Sequence, residues 1–318
     1  MSRIKAMLQL MRPANIVTAV SDVLAGIAIS GFLLLDMEKD VSWQPVLLLC
    51  LSTIGLYGGG VVFNDVFDAE LDKKERPERP IPRGDVTINQ ASILGLLLLV
   101  GGILAAFRWQ LTSGLLATGI AVAALVYDKY SKHHKIAGPL NMGLCRGLNL
   151  LLGISVVPLG VQSWWWLGTI PIIYIAAITL ISRGEVHGGS RKHIYLAAVM
   201  YAAVIISIAL FAGNYAGQEN LNKKIGWGWD ITNFVWWKPM AFTILFLALF
   251  SMMIYIPLVK AMKQPNGPNI GKSVKAGVLG LILMNASWAC AVGQLPLAFI
   301  MLLLLPLSII LAKAFAVT

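Results

Sequence analysis

Residues 44–84 read QPVLLLCLSTIGLYGGGVVFNDVFDAELDKKERPERPIPRG. The first part is an apolar run over 44–64, and about 20 such residues are enough to cross the hydrocarbon core of a membrane as an α-helix. From Asn64 onward the chain changes abruptly to a stretch dense in both acidic and basic side chains. The sequence therefore predicts a membrane-spanning helix that ends directly in a polar site.

Apolar runs of this kind recur along almost the whole chain of 318 residues. They cover 14–35, 44–64, 91–107, 111–127, 138–160, 163–182, 194–212, 239–259, 274–293 and 295–313. Hydrophobic residues make up 58% of the chain and charged residues 13%, which excludes an ordinary soluble, disordered or fibrous protein. We predict an all-α polytopic bundle of nine or ten transmembrane helices, with residues 1–318 as a single domain.

The basic residues are unevenly distributed between the two sides of the membrane. The formal charge is +10, and a cytoplasmic N-terminus places 19 of the 25 lysines and arginines in inner loops. The positive-inside rule therefore predicts that the polar site faces the cytoplasm. We expect a multi-pass protein of a bacterial inner membrane. Because the charges lie in short loops between spans, we expect membrane lipids and an anionic small molecule as partners, and no nucleic acid.

The charged stretch has the composition of a diphosphate site. Asn64, Asp68 and Asp72 are spaced four residues apart, so they share one face if the helix continues through them. The repulsion between such carboxylates is relieved by Mg²⁺, which prefers oxygen ligands. Basic side chains that suit phosphate oxygens follow directly, at Lys73, Lys74, Arg76, Arg79 and Arg83. The alternative is a solvated charged loop.

The pattern NDxxDxxxD followed by RPxRPIPxG resembles the first aspartate-rich motif of the UbiA superfamily of intramembrane prenyltransferases. Further similarity lies in Arg-Pro at 12–13, in YDKYSK at 127–132, and in Asn141 and Arg146. The resemblance implies a UbiA-like fold and Mg²⁺ at Asn64, Asp68 and Asp72, with Asp68, Asp72 and Lys132 as catalytic residues. The substrate-binding residues that we expect in this half of the chain are Arg76, Arg79, Tyr127, Lys129 and Arg146.

A second aspartate-rich motif is expected after the sixth span, and this sequence departs from it. Residues 181–193 read ISRGEVHGGSRKH, in which Glu185 is the remaining acid. We expect Glu185 to be a metal ligand and catalytic residue, and Arg183 and Arg191 to bind phosphate. His187 is either a residue that binds or deprotonates the acceptor, or a solvated loop residue. The string SRGEVHGG resembles the EboC-like branch of the superfamily, which implies a hydroxylated, cyclitol-like acceptor.

Asp22 lies inside the first apolar run, where a carboxylate is costly if it faces lipid. We therefore expect it to face a cavity or a partner such as Arg146. An ion pair within the membrane and a contact to substrate are both consistent with this position.

These observations predict an integral-membrane prenyltransferase. It moves an isoprenoid chain from a polyprenyl diphosphate to an aromatic or hydroxylated small-molecule acceptor, with Mg²⁺ as cofactor. One alternative is a non-catalytic protein that binds lipid diphosphates. The other is a transporter, but transporters place their binding sites near the middle of the membrane, whereas these charges cluster at helix ends.

Overall fold

The computed structural model describes residues 3–35, 42–184, 190–224 and 237–315. Every regular element in these ranges is helical. By contacts, the chain divides into two compact units, one formed by residues 1–176 and 304–318 and the other by residues 177–303. The prediction of an all-α protein is confirmed.

The first unit begins with nine helices and continues into a tenth. They are α1 (Arg3–Met11), α2 (Pro13–Ile29), α3 (Phe32–Leu35), α4 (Gln44–Phe67), α5 (Ala69–Glu75), α6 (Ile88–Trp109), α7 (Leu111–Val126), α8 (Ala137–Ile154), α9 (Gly160–Trp164) and α10 (Thr169–Ser182). A π-helical turn at Tyr127–Ser131 follows α7, and a 3₁₀ turn at Trp165–Gly168 precedes α10. The second unit holds the end of α10, then α11 (Arg191–Lys224), α12 (Trp237–Lys263), α13 (Gly267–Ala291) and the start of α14 (Leu295–Phe315), whose remainder from Leu304 onward belongs to the first unit.

Each of the ten predicted apolar runs overlaps one of these helices. Within the described residues, eight helices are long and apolar enough to cross a membrane, or nine if α1 and α2, which meet at a bend of 44°, form one span. Helix α8 is outside that count because Asn141, Arg146 and Asn149 lower its mean hydropathy. The prediction of a polytopic membrane bundle is confirmed.

Within the first unit, α4 packs against α6, and α2 packs against α8. Helices α2 and α8 approach so closely that glycine is required on both. A β-carbon at Gly26 would lie 2.2 Å from the carbonyl oxygen of Leu150, and one at Gly153 would lie 2.1 Å from that of Val23. This close crossing brings Asp22 on α2 next to Arg146 on α8.

The charged segment after α5 is anchored by apolar side chains rather than left in solvent. Ile81 and Val86 are buried in a cluster with Val62 of α4 and with α1 and α6. Gly84 then turns the chain at a φ of +81°, and a capping box between Thr87 and Gln90 begins α6. The segment therefore has a fixed path back to the end of α4.

The second unit is a separate helical packing of α11, α12 and α13. Tyr255 of α12 donates a hydrogen bond to the carbonyl oxygen of Ala198 at 2.7 Å. The indole ring of Trp288 on α13 is fully buried and lies edge-on against Phe211 of α11, with 5.0 Å between ring centroids.

Candidate active site

The membrane-spanning helix α4 ends at Phe67, so it does not continue unbroken through the acidic stretch as the spacing predicts. Asp68 is its C-cap residue, and the backbone N–H of Asp68 still donates to the Asn64 carbonyl at 3.0 Å. Helix α5 then starts at Ala69. By their hydrogen-bond and ion-pair partners, the side chains of Asn64 and Asp68 belong to one cluster and that of Asp72 to another.

We call the first group the Asn64 cluster: Asn64, Asp68, Asp128 and Lys132. The amide nitrogen of Asn64 donates to Asp128 Oδ1 at 2.8 Å. The ammonium group of Lys132 forms an ion pair with Asp68. Asp128 also interacts electrostatically with Asp68 and Lys132. Two predicted metal ligands, Asn64 and Asp68, and the predicted catalytic residue Lys132 are thus brought together.

The π-helical turn after α7 carries one side of this cluster. Its wider hydrogen bond runs from the N–H of Lys132 to the carbonyl of Tyr127, at 3.0 Å. Such turns are frequent at functional sites. Tyr127 is half-buried in the same turn, whereas Lys129 is exposed and its ammonium lies 5.3 Å from the centre of the Tyr130 ring.

We call the second group the Arg79 cluster: Arg12, Asp65, Asp72 and Arg79. The guanidinium of Arg79 donates to Asp72 at 2.6 Å and to Asp65 at 3.2 Å. Arg12 donates to Asp65 at 2.6 Å. Asp65, Asp72 and Arg79 are all buried. Asp72 therefore pairs with Arg79, away from the Lys132 side where Asp68 lies.

Arg12 joins this cluster at the bend between α1 and α2. Its backbone is left-handed, at φ 50° and ψ 67°, a conformation that costs a residue with a side chain roughly 1–2 kcal/mol. Pro13 begins α2 immediately afterwards. The ion pair with Asp65 holds this strained junction against α4.

Two further predicted substrate contacts lie outside both clusters. Arg76 is exposed at the end of α5. Arg146 is buried within the bundle, where it donates to Asp22 at 2.7 Å and to Thr18 at 2.6 Å, and its guanidinium lies 5.1 Å from the centre of the Tyr57 ring. The predicted pairing of Asp22 with Arg146 is confirmed.

The predicted second motif belongs to the other unit. Arg183 is exposed and lines a pocket together with Gly184, Ser190 and His193, between the end of α10 and the start of α11. Arg191 is exposed at the first position of α11. Glu185 and His187 lie outside the described residues.

The donor set of the Asn64 cluster fits Mg²⁺. Among the described residues, no three acidic, histidine or cysteine side chains converge as a complete metal cage. Mg²⁺ rarely needs one, since it is usually held by one or two carboxylates, with water and substrate phosphates completing its shell. Asp68 and Asp128 supply carboxylates and Asn64 an amide oxygen. Asp128 Oδ2 is buried and has no hydrogen-bond partner in the described part of the chain.

Sequence reasoning did not identify Asp65, Asp128 or Arg12 as members of the site. Asp128 lies between Tyr127 and Lys129, which are both predicted substrate-binding residues, and it is the only acid in YDKYSK. Asp65 directly follows Asn64 but falls outside the four-residue spacing. Arg12 is far away in sequence, and only the bend between α1 and α2 brings it to α4.

Comparison with known proteins is consistent with this architecture. The UbiA prenyltransferase family matches residues 23–255. The digeranylgeranylglyceryl phosphate synthase of Methanothrix thermoacetophila is 33% identical over 222 residues, which are 63% of this chain and 78% of that protein. The protein of the same name from Saccharolobus solfataricus is 28% identical over 179 residues, and there the match spans 56% of this chain and 60% of the relative.

A solved structure shows the same fold. A UbiA homologue from Archaeoglobus fulgidus, determined with GPP and Mg²⁺ bound, matches with a TM-score of 0.59. The superposition covers 87% of this chain and 99% of that one, at 13% identity. Together with the match over residues 23–255, this establishes that the chain belongs to the UbiA prenyltransferase family.

Proposed function

We propose that this protein is a Mg²⁺-dependent membrane prenyltransferase that moves an isoprenoid chain from a prenyl diphosphate to a hydroxylated small-molecule acceptor. The observation that carries the proposal is the Asn64 cluster. It places two carboxylates, an amide and a lysine together at the ends of membrane-spanning helices. A diphosphate head group bound there would have its apolar tail within the bundle.

The residues of the chain have separate tasks in this reaction. Asn64 and Asp68 would hold Mg²⁺, which supplies positive charge to the diphosphate as it leaves. Lys132 is positioned to exchange its ion pair with Asp68 for one with a diphosphate oxygen. The bond between the prenyl carbon and the diphosphate oxygen breaks with its electron pair on the diphosphate. The acceptor oxygen bonds to that carbon, and its proton passes to the released diphosphate.

The remaining predicted contacts stay predictions. Arg76 is exposed beside the site and Tyr127 lies in the π-helical turn, and both are consistent with binding of the diphosphate. Lys129 is a weaker candidate because it packs on Tyr130. Arg183, Glu185, His187 and Arg191 are proposed from the sequence alone.

A hydroxylated acceptor is favoured over an aromatic one by two lines of support. The relatives at 28–33% identity are named as synthases of a glyceryl phosphate lipid. The string SRGEVHGG at 182–189 resembles the EboC-like branch of the superfamily, and that resemblance implies a polyol-like acceptor. We propose one functional domain over residues 1–318, supported by the family match, which runs through both compact units. A cytoplasmic site in a bacterial inner membrane is proposed from the basic residues alone.

The test is turnover by the purified full-length protein in nanodiscs, with labelled geranylgeranyl diphosphate and three acceptors offered separately. These are a prenylated glycerol phosphate, a cyclitol and 4-hydroxybenzoate. We expect a labelled product with the glycerol phosphate or the cyclitol, lost when Mg²⁺ is chelated. Tight binding of the donor without a product would instead indicate a lipid-diphosphate binder. For a transporter, the same protein reconstituted into sealed vesicles would instead deliver the labelled compound to the vesicle lumen.

A further inference from the structure

We propose that Asp128 is the third protein ligand of the Mg²⁺ ion, with Asn64 and Asp68, and that Asp72 instead belongs to the Arg79 cluster, whose ion pairs are structural. This inference rests on the proposed function, because it concerns the metal which that function requires. It reassigns the third member of the NDxxDxxxD motif and adds a residue from a different helix, 64 positions further along the chain.

Charge balance separates the two clusters. In the Arg79 cluster, the carboxylates of Asp65 and Asp72 face the guanidinium groups of Arg12 and Arg79. The formal charges of these four side chains therefore sum to zero. Adding a divalent cation there leaves two positive charges that nothing in this group compensates, and freeing a ligand requires breaking a buried ion pair, which is strongly unfavourable. A divalent cation is therefore disfavoured at Asp72.

The Asn64 cluster has the opposite balance. Its two carboxyl groups, Asp68 and Asp128, share the single ammonium of Lys132, so that ionisation of both leaves one excess negative charge among its described members. Arg12 also interacts electrostatically with Asp128, but its hydrogen bond is committed to Asp65. A buried carboxylate without full compensation is costly, and a cation removes that cost.

The geometry of Asp128 supplies an oxygen for such a cation. The side chain is only 8% exposed, and Oδ1 accepts the hydrogen bond from Asn64. Oδ2 is buried and has no partner in the described residues, which is unusual for a buried polar oxygen. A metal ion bound to Oδ2 would satisfy it.

The same hydrogen bond orients Asn64. Because the amide nitrogen is directed to Asp128 Oδ1, the amide oxygen of Asn64 is the atom left to face a metal. Without that anchor, the amide is free to rotate and present its nitrogen, which does not bind Mg²⁺. Asp128 therefore contributes twice, as a ligand and as the group that orients a neighbouring ligand.

The experiment measures metal binding independently of prenyl transfer. The full-length protein in nanodiscs is titrated with Mn²⁺, followed by electron paramagnetic resonance, in the presence of inorganic diphosphate. The variants are Asp128→Asn, Asp68→Asn and Asp72→Asn. Glu70→Gln is the matched control, because it removes an exposed carboxylate two residues after Asp68 that pairs with Lys73.

We expect Asp128→Asn and Asp68→Asn each to weaken Mn²⁺ binding about 10- to 100-fold. Asp72→Asn and Glu70→Gln should retain an affinity close to that of the unmodified protein. If Asp72→Asn weakens binding as strongly as Asp68→Asn while Asp128→Asn does not, the inference is wrong and the proposed function stands. If the unmodified protein binds no Mn²⁺ under these conditions, the site and the Mg²⁺-dependent function both fail.

A second variant pair identifies a direct ligand even if Asp128→Asn folds poorly. Cysteine thiolate prefers soft metals, so Asp128→Cys should lose Mn²⁺ affinity and gain Cd²⁺ affinity, with ultraviolet absorption from the thiolate bound to Cd²⁺. Asp72→Cys should show neither change. Equal Cd²⁺ binding by both variants, or Cd²⁺ binding by Asp72→Cys alone, contradicts the assignment.

Discussion

Replacing Arg79 with alanine should release the segment that follows α5, before any substrate is present. The substitution removes the ion pairs to Asp72 at 2.6 Å and to Asp65 at 3.2 Å, both among side chains no more than 10% exposed. Removing one partner of a buried pair costs about 3–5 kcal/mol, and Asp65 keeps Arg12, so the lower end of about 3 kcal/mol applies. Since 1.4 kcal/mol is a factor of ten, the opened form of the segment should become roughly 100-fold more populated.

Limited trypsin digestion of the purified protein in detergent measures this opening. Cleavage after Lys73, Lys74 and Arg83 reports the segment, and its rate follows the population of the opened form when reclosure is fast. Arg76 and Arg79 both precede proline and are poor trypsin sites, so Arg76→Ala is a matched control that removes an exposed arginine and no usable site. Equal digestion rates for Arg79→Ala and Arg76→Ala would refute the structural role of the Arg79 cluster and support a role of Arg79 in binding diphosphate.

Two other predictions concern the bundle. Arg146→Met leaves Asp22, whose side chain is 1% exposed, without its ion pair and should lower the free energy of unfolding by about 3–5 kcal/mol. Thermal melting in detergent should show that Arg146→Met combined with Asp22→Leu recovers most of this loss. A double variant no more stable than Arg146→Met would argue against a structural pair. For the orientation, cysteine at Glu75 should be labelled only from the cytoplasmic side and cysteine at Trp43, at the other end of α4, only from the opposite side. The reverse pattern would invert the topology.

The fold was predictable because the apolar runs have the length and spacing of transmembrane helices. The local backbone geometry, such as the end of α4, could not be predicted from composition. The four-residue spacing of Asn64, Asp68 and Asp72 assumes an unbroken helix, whereas α4 ends at Phe67 and α5 restarts at Ala69.

The site was predictable only in part, for a related reason. The residues that share a segment, such as Asn64 and Asp68, are visible in a sequence pattern. Their partners are not: Lys132 and Asp128 arrive from the π-helical turn after α7, and Arg12 from a bend whose left-handed backbone no local pattern indicates. Such partners are selected by tertiary packing, which brings together residues more than 50 positions apart.

Tertiary packing also determines the partners of Arg146. A buried arginine in a membrane helix indicates function by default. Here its donors are directed to Asp22 and Thr18, across a helix crossing that Gly26 and Gly153 make possible. The sequence correctly predicted the pairing with Asp22, and the close crossing explains why the pair forms.

The central claim is Mg²⁺-dependent transfer of a prenyl group at the Asn64 cluster. Its most direct test is the rate at which a labelled prenyl group moves from its diphosphate to the acceptor, compared between the unmodified protein and Asp68→Ala across a range of Mg²⁺ concentrations. The account predicts saturable Mg²⁺-dependent transfer by the unmodified protein and loss of transfer in correctly folded Asp68→Ala, which lacks a coordinating carboxylate but keeps Lys132. Full activity in Asp68→Ala, or transfer by the unmodified protein that is unaffected by chelation of Mg²⁺, would contradict it.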